Sequence, residues 1–109
     1  MNMTLLEPLA SYYEAVNARD IESTIGVFAA DGVVWDEAEE HRGRDAIRAW
    51  IEKITAKYGS ITVEPIALTE QGREKLVTTM VSGSFKGSPV SLRYAFVLEQ
   101  GRIIRLEIA

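Results

Sequence analysis

No cysteine occurs in the 109 residues, and there is a single histidine, His41. These two scarcities remove whole classes of chemistry. Without thiols there is no disulfide, no thiolate nucleophile, no iron–sulfur cluster and no cysteine zinc site. One imidazole cannot supply a multi-histidine metal centre, and no nucleophile-elbow sequence is present to place a serine beside it. Positive charge is also scarce: 12 Lys and Arg stand against 16 Asp and Glu, a net charge of -4. A surface that neutralises phosphates needs the opposite balance, so neither nucleic acid nor a membrane is an expected partner. No apolar run approaches the length needed to cross a bilayer, and Met1 to Pro8 lacks the basic and apolar regions of a signal peptide. A cytoplasmic location is the expectation. No Gly-rich loop links a strand to a helix, so no nucleotide is expected, and no other cofactor.

What is present is a 47% hydrophobic composition, enough to bury a real core. The length suits one domain spanning 1–109. Leu5, Leu9, Tyr12, Tyr13 and Val16 recur at helical spacing, with Thr4 and Glu7 placed to form a capping box. Asp20 is a good N-cap for a second helix whose Ile21, Ile25 and Phe28 share a face, and Asp31-Gly32 signals a turn. Val33 to Asp36 reads as a short strand, followed by a carboxylate-rich turn. A third helix begins after Gly43, with Ile47, Trp50, Ile51, Ile54 and Tyr58 on one face and Gly59 at its end.

Beyond Gly59 the period changes from 3.6 to 2. Strands are predicted at about 60–69, 75–85, 89–98 and 102–108, an antiparallel meander that must bury one face on the helices. The class is therefore α+β. In the last hairpin, a two-residue Gln100-Gly101 turn in strict register would set Phe96 opposite Arg105. A three-residue loop sets Phe96 opposite Ile104, Tyr94 opposite Leu106 and Arg93 opposite Glu107, and this register is predicted. The preceding hairpin is predicted to pair Phe85 with Val90. Leu76, Thr78, Met80 and Ser82 then form a semi-apolar outer face beside Arg93 and Arg105, suited to a homodimer.

The residues that could carry chemistry cluster around Asp36. Val34 enters the core, and Asp36 lies on the same side two residues on. A carboxylate at the mouth of an apolar pocket loses hydration, its pKa rises, and it becomes a usable general base. Phenols of Tyr12 or Tyr13, and of Tyr94, could donate to a developing oxyanion. The alternative is that Asp36 merely ends the strand while the tyrosines fill core volume. His41 either orients Asp36 or bonds to backbone; Trp50 is core with one edge available to a pocket. Glu37, Phe28 and Leu92 complete the candidate lining, and Trp35 should face the other way. His41 with Asp36, Glu37, Glu39 and Glu40 could form a hard metal site, but turn carboxylates are more often solvated, and no metal is expected.

Three stretches resemble a known family: Tyr12-Tyr13-Glu14-Ala15-Val16-Asn17 with Asp20; Phe28-Ala29-Ala30-Asp31-Gly32-Val33-Val34-Trp35-Asp36-Glu37; and His41-Arg42-Gly43-Arg44-Asp45-Ala46-Ile47-Arg48-Ala49-Trp50. They resemble the SnoaL-like branch of the nuclear-transport-factor-2-like superfamily, which includes ketosteroid isomerases, polyketide cyclases and limonene-epoxide hydrolases. The resemblance implies a cone, a curved antiparallel sheet wrapped on three helices (cystatin-like), with a pocket and commonly a dimer. It implies a small apolar or carbonyl-containing ligand, with Asp36 matching the general-base aspartate of ketosteroid isomerases and Tyr12 their pocket tyrosine. It departs from them on the strand 89–98, where Leu92, Tyr94 and Phe96 offer no carboxyl group as a second donor. Arg93 should face outward, so the Arg/Asp arrangement of the epoxide hydrolases is missing as well. An isomerase or cyclase and a non-catalytic binding or dimerisation module both fit this pattern.

Overall fold

Residues 5–109 are described by the computed structural model. The helices are α1 (Leu9–Asn17), α2 (Ile21–Gly26) and α3 (Arg44–Tyr58). The strands are β1 (Phe28–Asp36), β2 (Glu39–Arg42), β3 (Ile61–Gln71), β4 (Glu74–Gly83), β5 (Val90–Glu99) and β6 (Arg102–Ile108). They form one sheet in the order β2-β1-β6-β5-β4-β3, antiparallel except between β1 and β6. This is the expected α+β arrangement, a curved sheet with three helices.

Local chemistry sets the helices. Tyr12 and Tyr13 are buried on α1, which ends in a Schellman arrangement: Asp20 N–H donates to Ala15 O (3.0 Å) and Arg19 N–H to Val16 O (3.1 Å). Arg19 therefore occupies the left-handed position, φ 59°, that glycine usually fills. Asn17 docks this end on the sheet by donating to Val63 O (2.9 Å) and accepting from Val63 N–H (2.8 Å). Asp20 caps α2 by accepting from Ser23 N–H (3.0 Å). Thr4, the proposed partner of Glu7 in a capping box, lies outside the described residues.

The second helix is shorter than its apolar spacing suggests. It stops at Gly26, and Phe28, expected on the helix, is the first residue of β1. Asp31-Gly32 is likewise not a turn but an irregularity inside β1. The strand pairs with β6 at Phe28↔Ile103 and again from Val33↔Arg105, and the extra β1 residues between these points bulge. Gly32 is needed there, because a Cβ would sit 3.1 Å from the carbonyl oxygens of Ala29 and Ile103. β2 had no sequence signal. Its four residues are charged or polar edge positions paired to Val33–Asp36, which leaves no apolar alternation to read.

Both predicted hairpin registers are corrected. Glu99 pairs with Arg102 and Leu98 with Ile103, so the β5–β6 turn has two residues, Gln100 and Gly101, both left-handed at φ 51° and 75°. A bulge then shifts the pairing, giving Phe96↔Leu106 and Tyr94↔Ile108 rather than Phe96 with Ile104 and Tyr94 with Leu106. The extra residue lets Ile103, Leu106 and Ile108 all turn inward, which a strictly alternating strand cannot do. Arg93 pairs through its backbone with Ala109, not with Glu107. In the β4–β5 hairpin Val81, not Phe85, is opposite Val90, leaving a longer loop braced by Gly83 N–H donating to Ser88 Oγ (2.9 Å). The slip is an even number of residues, so the faces survive it: Val77, Thr79 and Val81 are buried inward.

The core sits between sheet and helices. Phe28, Val34, Ile47, Val77, Phe96, Ile103 and Leu106 are completely buried. Tyr12 lies edge-on to Phe28 (6.1 Å between ring centroids), Phe96 (5.5 Å) and Tyr94 (6.5 Å). Tyr13 meets the buried Thr79 hydroxyl at 2.7 Å.

Candidate functional site

One side of this core is open. Between the helices and the concave face of the sheet lies a cavity of about 780 Å³, within the range of small-molecule sites. Its walls are apolar: Val16 and Ile21 from the first two helices, Ile51 and Ile54 from α3, and Val63, Val81, Leu92 and Ile108 from the sheet. Polar groups stand at two levels. Tyr12, Tyr94, Asp36 and Trp50 form one group; Arg19, Asp20, Glu37, Tyr58 and Lys86 come from the chain turns and helix ends.

Asp36 arrives at the wall because β1 ends there, two residues beyond the buried Val34. Trp50, one helical turn beyond the buried Ile47, donates its Nε1–H to Asp36 Oδ2 at 3.0 Å. Partial burial pushes the Asp36 carboxyl above its ordinary value, with the Trp50 hydrogen bond pulling the other way. Burial also raises the phenols of Tyr12, Tyr13 and Tyr94, so all three remain protonated donors at neutral pH. Tyr13 uses its hydroxyl on Thr79. The hydroxyls of Tyr12 and Tyr94 have no hydrogen-bond partner among the described residues, and no buried side-chain oxygen or nitrogen there is left unpaired. Both hydroxyls therefore retain access to the cavity their residues line.

Of the residues singled out in the sequence, Asp36, Tyr12, Tyr94, Trp50, Glu37 and Leu92 line this one cavity. Phe28 and His41 are not on its wall. Phe28 is completely buried beneath Tyr12, because it begins β1 instead of ending α2. His41 lies on β2 opposite Val34, its ring 6.2 Å from that of Trp50. The acids of the turn are each claimed by a neighbour: Glu37 accepts from Tyr58 and Lys57, Glu39 from Lys53, and Glu40 pairs with Arg42. Those cations hold them apart, and among the described residues no three His, Asp or Glu side chains are grouped to hold a metal.

Sequence reasoning missed most of the wall. Ile51, Ile54 and Tyr58 belong to the stripe read as the packing face of α3, yet they are only partly buried, since that half of the stripe faces the cavity. Helical periodicity identifies an apolar face; it does not say whether protein or space lies opposite.

The geometry can be set beside known proteins. The SnoaL-like domain matches residues 9–106. A Sinorhizobium meliloti protein provisionally named a polyketide cyclase is 40% identical, with 93% of this chain and 92% of that one covered and a TM-score of 0.87. A Catenulispora acidiphila protein with a ketosteroid isomerase-like fold, in complex with trimethylamine, is 19% identical over 95% and 86% of the two chains, TM-score 0.80. TerC, co-crystallised with polyporic acid, is 18% identical over 93% and 86%, TM-score 0.79. The last two likenesses are likenesses of fold. No curated protein sequence matches. No helix among the described residues is long and apolar enough to cross a membrane. With cone, cavity and the match over 9–106 in agreement, the chain belongs to the SnoaL-like domain family.

Proposed function

We propose that this protein binds a small, mainly apolar carbonyl compound in the cavity and acts on it as an isomerase or cyclase. In this reading the Asp36 carboxylate removes a proton alpha to the carbonyl. The C–H electron pair moves into the carbonyl, and the resulting enolate oxygen accepts hydrogen bonds from the Tyr12 and Tyr94 hydroxyls. The proton held on Asp36 returns to a different carbon in an isomerisation. In an aldol-type cyclisation the enolate carbon attacks a second carbonyl, and Asp36 protonates the new alkoxide. Trp50, Glu37 and Leu92 contact the ligand; Phe28 supports Tyr12, and His41 supports Trp50.

The observation that carries this reading is an open cavity with a partly buried Asp36 on its wall and two phenols that have no hydrogen-bond partner among the described residues. A cavity filled by Trp50, Tyr94 and Phe96 would have argued against it. The provisional name of the Sinorhizobium relative supports the cyclase direction, and the ligands held by TerC and the Catenulispora protein support a small-molecule role.

A non-catalytic binding module is the second reading. It is favoured by the inner face of β5, where Leu92, Tyr94 and Phe96 supply only one polar donor. Deuterium exchange into a panel of aryl ketones separates the two. Exchange catalysed by the wild type and lost in Asp36→Asn supports the enzyme; ketone binding with equal exchange by both proteins supports the module.

The same reading includes a homodimer through the outer sheet face. There the register sets Leu76, Ala95, Glu107 and Trp35 in one row across four strands, with Thr78 opposite Arg93 and Met80 opposite Ser91.

A further inference from the structure

Five charged side chains line the cavity: Arg19, Asp20, Asp36, Glu37 and Lys86. Their partners divide them by sign. Asp20 accepts from Ser23 N–H (3.0 Å) and Ser23 Oγ (2.8 Å), Asp36 from Trp50 Nε1 (3.0 Å), and Glu37 from Tyr58 and Lys57. Neither cation has a carboxylate partner among the described residues. Arg19 spends one N–H on the backbone oxygen of Asn17 (2.6 Å), and Lys86 makes no hydrogen bond or ion pair there. Arg44, Arg93 and Arg102 also lack a carboxylate partner among the described residues, but none of them lines the cavity, where both cations are free of one.

Both are held where they are by local structure. Arg19 terminates α1 at φ 59°, a left-handed position where an L side chain is disfavoured and glycine costs less. The sequence keeps an arginine there instead. Lys86 sits in the β4–β5 loop between Phe85, whose ring packs edge-on against Tyr58 (5.7 Å), and Gly87 at φ 96°. Ser88 N–H closes the same loop onto Phe85 O (3.2 Å). The α1–α2 corner and the β4–β5 loop therefore present one unpaired cation each to the same apolar space.

We propose that Arg19 and Lys86 anchor the anionic end of the ligand, so that the natural substrate is an organic carboxylate whose apolar body fills the cavity. The proposal rests on the cavity being the ligand site and adds the charge and orientation of the ligand. The apolar walls hold the body, and the arginine fork offers two parallel N–H donors to a carboxylate. Lys86 adds a mobile charge on the other bank. The carbonyl end then points inward, toward the Asp36 and Tyr12 group.

The test uses ω-phenylalkanoates of increasing chain length and their methyl esters, with binding followed by quenching of tryptophan fluorescence, since Trp50 is on the wall. The acids of suitable length should bind about three- to tenfold tighter than their esters at low ionic strength, as expected of a partly exposed ion pair. That preference should shrink in high salt and vanish in Arg19→Gln/Lys86→Gln, while ester affinity stays unchanged. Esters binding as well as acids at every length, or an acid preference that survives the double variant, overturns the proposal and leaves the cavity reading intact. Failure of acids and esters alike to bind overturns both.

Discussion

Asp36 has more neighbours than a strand-ending aspartate needs, and its energetics follow from them. Burial favours its protonated form, so its folded-state pKa lies above the unfolded one. The sign is that of a raised carboxyl: the folded state gains stability below the unfolded pKa and loses it as pH rises through the folded value. At neutral pH the ionised side chain is therefore a stability cost, and Asp36→Asn should melt no lower than wild type at pH 7 and lose that advantage in acid. The same substitution should reduce ketone exchange by about 10²- to 10⁴-fold, the usual contribution of a general base. Trp50→Phe keeps much of the ring volume but removes the hydrogen bond that lowers the Asp36 pKa, so the acid limb of the exchange profile should move to higher pH. A Trp50 that merely fills space would leave the profile where it is. Tyr13 belongs to the floor instead: Tyr13→Phe leaves Thr79 with only its 3.3 Å contact to Val77 O and should cost about 1 kcal/mol in urea unfolding. Probe binding in the cavity should not change.

At the scale of elements, the β1–β2 turn is where local preference and tertiary placement disagree. Glu37 and Ala38 both sit at positive φ, 50° and 63°, in the two-residue turn geometry that favours Asn-Gly. Ala38 makes no side-chain hydrogen bond, so Ala38→Gly should raise unfolding stability by about 0.5–1 kcal/mol. Glu37 is different, because its carboxylate accepts from Tyr58 and Lys57 and ties the turn to the end of α3. The β5–β6 hairpin shows the same logic solved by a bulge. A two-residue turn set the start of β6, burial demanded three inward residues, and the extra β6 residue Ile104, between the Leu98↔Ile103 and Val97↔Arg105 pairs, reconciled them.

For the molecule as a whole, the outer sheet face is the remaining large surface. Leu76 and Met80 are half-buried there, and the row from Leu76 to Trp35 crosses four of the six strands. A stable dimer needs roughly 800 Å² from each partner. Sedimentation should give about twice the 12.1 kDa chain mass, and Leu76→Glu should return the monomer with its fold and probe binding preserved. A monomeric wild type removes the dimer from the proposed function without touching the cavity.

The class, the positions of α1 and α3, the start of α2 and the faces of β4 and β5 were settled by the sequence itself, because they depend on periods of 3.6 and 2 and on caps such as Asp20, all local quantities. Asp36 was legible for the same reason: two residues beyond Val34 on one strand is a statement about pleat alone. Other features depended on what lay opposite. β2 carries no apolar alternation and exists as a strand because β1 offers it an edge. The register of the β5–β6 hairpin was decided by the demand that Ile103, Leu106 and Ile108 all be buried. Above all, Ile51, Ile54, Val63 and Val81 have the pattern of core residues, and only the tertiary structure leaves a space between them. Apolar periodicity records which side of an element avoids water; whether that side meets a neighbour or a ligand is fixed by how far apart sheet and helices are held.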